Sequence, residues 1–300
     1  MSDRLAVYTT VYPGVEQYLP SWYRSVLAQT DRDFDLCIGL DSLTPEAVLL
    51  ASGAEPGSIN FITSQHGSPG QIREHAISIL VDEYASVVFV DSDDLLYPTR
   101  VESARKGLED HDVVGCALRI IDDTGHDMGI TFGQTIEKQF SSLLIRYNIF
   151  GLSNTAYRND VLRRCLPLGD GCEIVDWSLV TRAWAGGATL HFDQQPQMAY
   201  RQYSTNVARV LLPFSARHVL AATERVIGHY RCVLESEFPI TGPLVDALRP
   251  AYDRALLFHQ KINASNHTLS SYVAELNQLT PCYVWWWCVA HPDLEHIWRN

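Results

Sequence analysis

Three carboxylates fall within four positions of the stretch VVFVDSDDLLYP, residues 87–98: Asp91, Asp93 and Asp94. A helix cap or a tight turn asks for one aspartate, because a single side-chain oxygen satisfies the free backbone N–H groups there. Three carboxylates this close repel one another unless a cation lies among them. Hard divalent ions such as Mg²⁺ and Mn²⁺ take oxygen ligands, keep several waters and usually share their shell with substrate phosphates. The chemistry expected of the cluster is a metal ion holding a diphosphate, with a cap or turn as its plain alternative.

Other devices for holding phosphate or activating a nucleophile do not occur in the chain. It has no G-x-x-x-x-G-K-[ST] loop and no G-x-G-x-x-G after the first apolar run, which weakens ATPase and dinucleotide-dehydrogenase readings. It has no H-E-x-x-H zinc motif and no G-x-S-x-G nucleophile elbow. The eleven histidines are dispersed, and a lone one such as His66 is more often surface or core than ligand. Seven cysteines, odd in number and without a C-x-x-C pair, read as reduced and mostly buried thiols.

The elements that must position the cluster are legible from periodicity. Residues 4–10 and 34–40 are short apolar runs of strand length, and 17–30 between them spaces its apolar residues as a helix does. The unit recurs: strand-like 59–64, helix-like 70–84, then the uniformly apolar 86–90. Such alternation predicts an α/β fold, a mostly parallel sheet with helices on both faces. Ligands of such sheets collect at the carboxyl ends of the strands, where Asp91 to Asp94 and, after LCIGL, Asp41 stand. Beyond residue 100 the spacing predicts a strand over 112–122, a turn over 122–129, a helix over 175–187 closed by glycine, and a strand behind it. From about residue 207 the chain reads as helical, so the expected organisation is a sheet-bearing domain over 1–206 and a helical extension over 207–300.

With 300 residues and 46% apolar side chains the chain can bury a substantial core. Its formal charge of −12 makes nucleic acid or an anionic lipid surface a poor partner. No run reaches the roughly 18 to 20 apolar residues that span a bilayer, and no basic segment with an apolar core opens the chain. The expected location is cytoplasmic, or peripheral at the inner face of a membrane. The tail PCYVWWWCVAHPDLEHIW holds four of the seven tryptophans, to be read as core, as a homodimer contact or as a surface for a membrane-bound acceptor.

The order of VYTTVYPG, CIGLDS, SPGQIREHAI and VVFVDSDDLLYPTRVE resembles the inverting GT-A glycosyltransferases grouped as family 2, over roughly residues 4–206. The resemblance implies a GT-A fold and a metal-dependent transfer of sugar from a nucleoside-diphosphate sugar to a hydroxyl of a glycan, lipid-linked or small-molecule acceptor. It implies donor contacts at Thr9, Asp41, Arg73, Asp91, Ser92, Asp93 and Arg201, with Asp91 and Asp93 also holding Mn²⁺ or Mg²⁺. EIVDWSLVTRAW aligns Asp176 with the base that takes the acceptor's proton, although the family's adjacent acidic pair is broken here, with Glu173 three residues away. Ser153, Asn154 and Trp177 fall where the family shapes its acceptor pocket. MAYRQYSTNVAR matches the family's closing segment at Arg201 and Asn206 but carries Tyr203 where a histidine is expected. Two other readings stay open: a nucleotidyltransferase on a similar sheet, although TTVYPGVEQ lacks the basic glycine-rich loop it should need, and a sugar-nucleotide-binding module without catalysis.

Overall fold

The computed structural model describes residues 4–64, 67–133, 141–169, 171–204, 206–235, 238, 240 and 243–299. His66 lies outside them. Five segments build the first half of a twisted sheet: β1 (Leu5–Val11), β2 (Asp35–Leu40), β3 (Asn60–Thr63) and β4 (Ser86–Phe89) run parallel in the order β3-β2-β1-β4, and β8 (Thr155–Arg158) adds antiparallel to β4. The sheet continues through β6 (Val113–Ile121) and the long β9 (Leu190–Arg201) to the two-residue β5 (Leu95–Leu96), while β7 (Asp127–Phe132) pairs with β6. The sheet is mixed, parallel where the β-α-β alternation reads most clearly. Val87 to Val90 are all buried, the signature of a strand covered on both faces.

The connecting helices start and stop where local chemistry says they should. α1 (Leu19–Leu27) and α2 (Pro45–Ser52) each carry proline in the first turn, where its missing N–H costs nothing. α3 (Pro69–Glu83) opens with a complete capping box, Ser68 bonding the Gln71 backbone and the Gln71 side chain bonding back. α4 (Arg100–Asp110), the short α5 (Ser141–Leu144) and α6 (Asn159–Arg164) follow, and α7 (Val175–Ala185) ends ahead of Gly187, whose φ of +80° suits a residue without Cβ.

After β9 the described regular elements are helices, among them α8 (Ala216–Leu234), α9 (Pro243–Ala264), α10 (Asn266–Leu276) and the terminal α11 (Glu295–Trp298), with an irregular stretch over 277–291. No helix among the described residues is long and apolar enough to cross a membrane. The tail tryptophans Trp285, Trp286, Trp287 and Trp298 are all buried in a core continuous with that of the sheet. Their burial accounts for them as core, and leaves none of them as a face for a second copy. All seven cysteines are free thiols, five of them buried.

Candidate active site

Strand register, rather than proximity in sequence, assembles the site. β4 and β8 pair antiparallel with Val88 opposite Ala156, so three residues on, the end of β4 meets the approach to β8. There the Ser153 hydroxyl donates to Asp91 Oδ2 at 2.6 Å. β5 and β9 pair with Leu95 opposite Ala199, and two residues earlier Asp93 therefore faces Arg201, whose Nε donates to the Asp93 carbonyl at 2.7 Å. The Asp91–Asp94 turn is closed by the Asp94 N–H bonding the Asp91 carbonyl, and a strand rather than a helix follows it. None of the three aspartates is a helix cap.

Asp91 and Asp93, but not the buried Asp94, open onto a cleft of about 560 Å³ at the carboxyl ends of β1, β2 and β4. Thr10, Asp41, Arg73, Asp91, Asp93 and Ser153 line it, together with Asp176, Tyr200, Tyr203 and Trp286 among others. A larger hollow of about 1090 Å³ lies between α6, α7 and α8. It holds none of the aspartates, so the smaller cleft is the chemical one.

The electrostatics of the cleft fit a cationic ligand. Asp93 is only 8% exposed, and burial, followed by the charge of Asp91, pushes its pKa up to about 6 against the hydrogen bonds from Tyr203 and from its own backbone and the charge of Arg201. Asp94 is fully buried; burial and then the charges of Asp93 and Asp91 push its carboxyl well up, and its Oδ2 has no partner among the described residues. Asp91 Oδ2 and Asp93 Oδ2 accept from the Ser153 and Tyr203 hydroxyls, so each hydroxyl engages one oxygen of its carboxylate. Two carboxylates lining the cleft suit a hard divalent ion that completes its shell with water and substrate phosphate. Among the described residues no set of three or more acidic, His or Cys side chains forms an all-protein cage, so the substrate would have to supply the rest.

Asp176 faces the same cleft from the first turn of α7. It is not the cap of that helix: the cap position is Ile174, which makes no side-chain capping bond. Asn148 Nδ2 donates to Asp176 Oδ2 at 2.8 Å. Burial pushes the Asp176 pKa up to about 6; nearby Arg73 pulls it down and Asp91 pushes it up. Gly70 sets the distance between the helices carrying Arg73 and Asp176, since a Cβ there would collide with the Cys172 carbonyl just ahead of α7. The separated Glu173 also lines the cleft, where its carboxylate lies 3.6 Å from Arg225 Nε.

Five of the expected contacts do not reach the cleft. Thr9 points into the sheet, 1% exposed, because successive strand residues face opposite sides; its neighbour Thr10 takes the cleft wall. Ser92 is buried with its hydroxyl on the Thr10 carbonyl at 2.9 Å, which ties β1 to the aspartate turn. Asn154 spends its amide on the carbonyls of Cys116 and Ile149 and on the Gly151 N–H, fixing the loop that presents Ser153. Trp177 is fully buried, donating to the Leu144 carbonyl and stacked 4.0 Å from His229. Arg201 is 3% exposed, bonded to the carbonyls of Asp93, Asp122 and Asp123 and laid over the Tyr18 ring at 4.6 Å.

Arg201 is therefore a buttress behind the aspartate turn, and Tyr18 in turn stacks on Tyr203, which bonds Asp93. Replacing Arg201 with methionine is expected to cost about 3 kcal/mol of stability by orphaning three carbonyls. Urea unfolding measures it, and a folded variant with full stability but no donor binding would contradict this assignment. Residues missed in the sequence are Thr10, Tyr12, Asn148, Tyr200, Arg225 and the tail pair Trp285 and Trp286. Thr10 was recoverable from strand alternation, but the tail pair carried no local signal beyond its aromatic density.

With this geometry in hand, the chain can be set beside known proteins. The family model described as glycosyl transferase family 2 matches residues 6–166, more than half of the chain. The chain belongs to glycosyl transferase family 2. The match ends before Asp176, Arg201 and the helical region, so those parts of this family 2 chain rest on the structure. A curated relative, an uncharacterized glycosyltransferase of Nostoc sp., is 26% identical over 186 residues, covering 58% of this chain and 55% of that protein. The chain thus matches only about half the length of that relative.

Solved structures of similar fold include S. aureus TarS in complex with UDP-GlcNAc, TM-score 0.54 at 15% identity, covering 86% of this chain and 72% of that one. Another is the mannosyltransferase PcManGT from Pyrobaculum calidifontis in complex with GDP-Man and Mn²⁺, TM-score 0.56 at 15% identity, covering 91% and 79%. At these identities they establish the GT-A architecture of the family 2 chain and nothing of its substrates.

Proposed function

We propose that the chain is a metal-dependent, inverting glycosyltransferase that moves a sugar from a nucleoside-diphosphate sugar to a hydroxyl acceptor. One observation carries the reading: a single cleft is lined both by the Asp91 and Asp93 pair and by Asp176, a separate carboxylate held by Asn148. Family membership speaks against the nucleotidyltransferase and the non-catalytic module. TarS bound UDP-GlcNAc and PcManGT bound GDP-Man with Mn²⁺ supply the donor class and the metal by analogy.

In this reading Asp176, held by Asn148, takes the acceptor's proton as that hydroxyl attacks the anomeric carbon. The new C–O bond forms as the bond from the anomeric carbon to the diphosphate oxygen breaks, and the electron pair leaves with the diphosphate. A pKa near 6 makes Asp176 a better proton acceptor than an ordinary carboxylate while keeping it ionised at neutral pH. Arg73 lines the cleft with no hydrogen bond or ion pair among the described residues, and takes the diphosphate role that the buried Arg201 cannot. Asp91 and Asp93 would hold Mn²⁺ or Mg²⁺, which would neutralise charge on the diphosphate. Thr10 and Asp41 at the ends of β1 and β2 face the nucleoside.

Thermal shift and nucleoside-diphosphate release against a panel of UDP and GDP sugars, with and without Mn²⁺, test the proposal. Stabilisation and turnover by one donor, dependent on Mn²⁺, are expected; no response to any donor would refute it. A second expectation concerns stability. As pH falls from 8 to 5.5, Asp93 and Asp176 take up protons in the folded chain while their unfolded counterparts stay ionised. The metal-free protein therefore gains about 1 kcal/mol from each group, and loses it again as pH rises through about 6. Urea titrations at the two pH values measure the gain, and saturating Mn²⁺ should shrink the share due to Asp93.

A further inference from the structure

Behind the cleft, the segment that leads into α7 and the helix α8 bring two thiols onto one hydroxyl. Cys172 Sγ donates to Ser178 Oγ at 3.2 Å, and Ser178 Oγ lies 3.9 Å from Cys232 Sγ on α8. Ser178 Oγ is also 3.2 Å from His229 Nδ1. As a thiol, Cys232 donates to the Leu168 carbonyl at 3.6 Å. Cys172, His229 and Cys232 do not converge as a metal-binding set, which no three such side chains do among the described residues. Their chemistry is that of a dithiol.

The two sulfurs differ in access. Cys232 is partly buried and lines the hollow of about 1090 Å³ between α6, α7 and α8, whereas Cys172 is buried and is not part of its wall. A small solute entering the hollow therefore meets Cys232 first. They differ in acidity in the same sense. The hydrogen bond from Cys172, helped by the Arg182 guanidinium and the Ser178 hydroxyl, pulls the Cys232 thiol down against its own burial. That same bond, followed by burial, pushes Cys172 up. A thiolate is the form that oxidants attack, and a protonated thiol beside it is placed to resolve the product.

The pair joins two segments that also meet in the cleft. Glu173, next to Cys172, lies 3.6 Å from Arg225 Nε of α8, and both residues line the cleft. The Cys172 carbonyl is the atom against which Gly70 of α3 packs, and Asp176 follows in the first turn of α7. We propose that Cys172 and Cys232 are a reversible redox site: a hydroperoxide oxidises them to a disulfide that fastens the entry of α7 to α8 and, resting on the glycosyltransferase reading above, lowers transfer by displacing Asp176. The Cys232 thiolate attacks one peroxide oxygen and the O–O bond breaks; the departing hydroxide takes up the proton that Cys232 gave away, leaving water and a sulfenic acid. The Cys172 sulfur then bonds the Cys232 sulfur, and its proton leaves with the sulfenic hydroxyl as a second water. Two thiols are oxidised and one peroxide is reduced.

Treating the reduced full chain with hydrogen peroxide tests this. Intact mass should fall by two hydrogens, a non-reducing peptide map should join Cys172 to Cys232 with the other five cysteines still free, and dithiothreitol should reverse both changes. Cys172→Ser should stop at a sulfenic acid on Cys232 that dimedone traps. Cys232→Ser should form no cross-link and, in peroxide, keep the transfer rate of the reduced wild type. The oxidised wild type should transfer about tenfold or more slowly, the scale of a misplaced catalytic group, with its nucleotide thermal shift retained. Amide hydrogen exchange over 171–177 should slow on oxidation. No cross-link, or Cys172 paired elsewhere, overturns the site; a cross-link with unchanged transfer overturns its coupling to Asp176. If the reduced wild type neither hydrolyses nor transfers any donor, the glycosyltransferase reading fails instead. The peptide map then decides the redox site, and the exchange over 171–177 decides whether it reaches α7.

Discussion

Asp176→Asn is expected to lower glycosyl transfer by about 10³-fold while leaving donor binding intact, within the range that a positioned general base contributes. The substitution is nearly isosteric, and its amide oxygen still accepts from Asn148, so the cleft keeps its shape. What disappears is the proton acceptor. In the wild type, activity should fall as pH drops through about 6, because protonated Asp176 cannot accept a second proton. Arg73 pulls the Asp176 pKa down, so Arg73→Gln should move that acid limb to higher pH, alongside weaker donor binding. Transfer rates of Asp176→Asn against wild type, with nucleotide thermal shifts on both, make the measurement. Full transfer by the variant, or a flat profile from pH 5 to 8 in the wild type, would remove Asp176 as the base.

Asp93→Asn should have opposite effects on stability and on activity. Burial and the neighbouring Asp91 make the ionised carboxylate unfavourable in the metal-free chain, so a neutral amide that still accepts from Tyr203 should raise the melting temperature at pH 8. Mn²⁺-dependent donor turnover should fall by about 10²- to 10³-fold, the scale of losing one electrostatic contact to developing charge. A residue kept for the fold would lose both together. Calorimetric scans without metal, and turnover across a Mn²⁺ titration, separate the two cases. Loss of stability with unchanged Mn²⁺ dependence would return Asp93 to a structural role. Asp94, buried and receiving the Arg201 N–H at 2.7 Å, is expected to behave as that structural case.

The contrast between Asp93 and Asp94 shows where sequence reading runs out. The β-α-β rhythm, the aspartates at the end of an apolar strand, Asp41 after the second strand, Arg73 near the start of a helix and Asp176 in the first turn of another were all readable from periodicity and resemblance. Each lies where a strand ends or a helix begins, and local chain chemistry determines those points. What a side chain faces there is another matter. Thr9 and Thr10 both lie in an apolar run whose uniform burial hides the pleat, and one looks inward while its neighbour meets the cleft.

Arg201 in a motif-matching position and a buried buttress have the same letters; only the pairing of β5 with β9, across about a hundred residues, brings it behind Asp93 and off the cleft lining. Trp177 beside the base and Asn154 beside Ser153 were likewise drawn inward, by Leu144 and by Cys116 and Ile149. In the opposite direction, Trp286 reaches the cleft from more than a hundred residues past Asp176 because its neighbour Trp285 bonds Asn148. By itself the sequence determined the order of elements, the family and the end of the sheet where chemistry belongs, since these follow from periodicity and local caps. Only the tertiary structure decided which side chains meet the ligand and which support them, because facing depends on strand register and on partners far away along the chain.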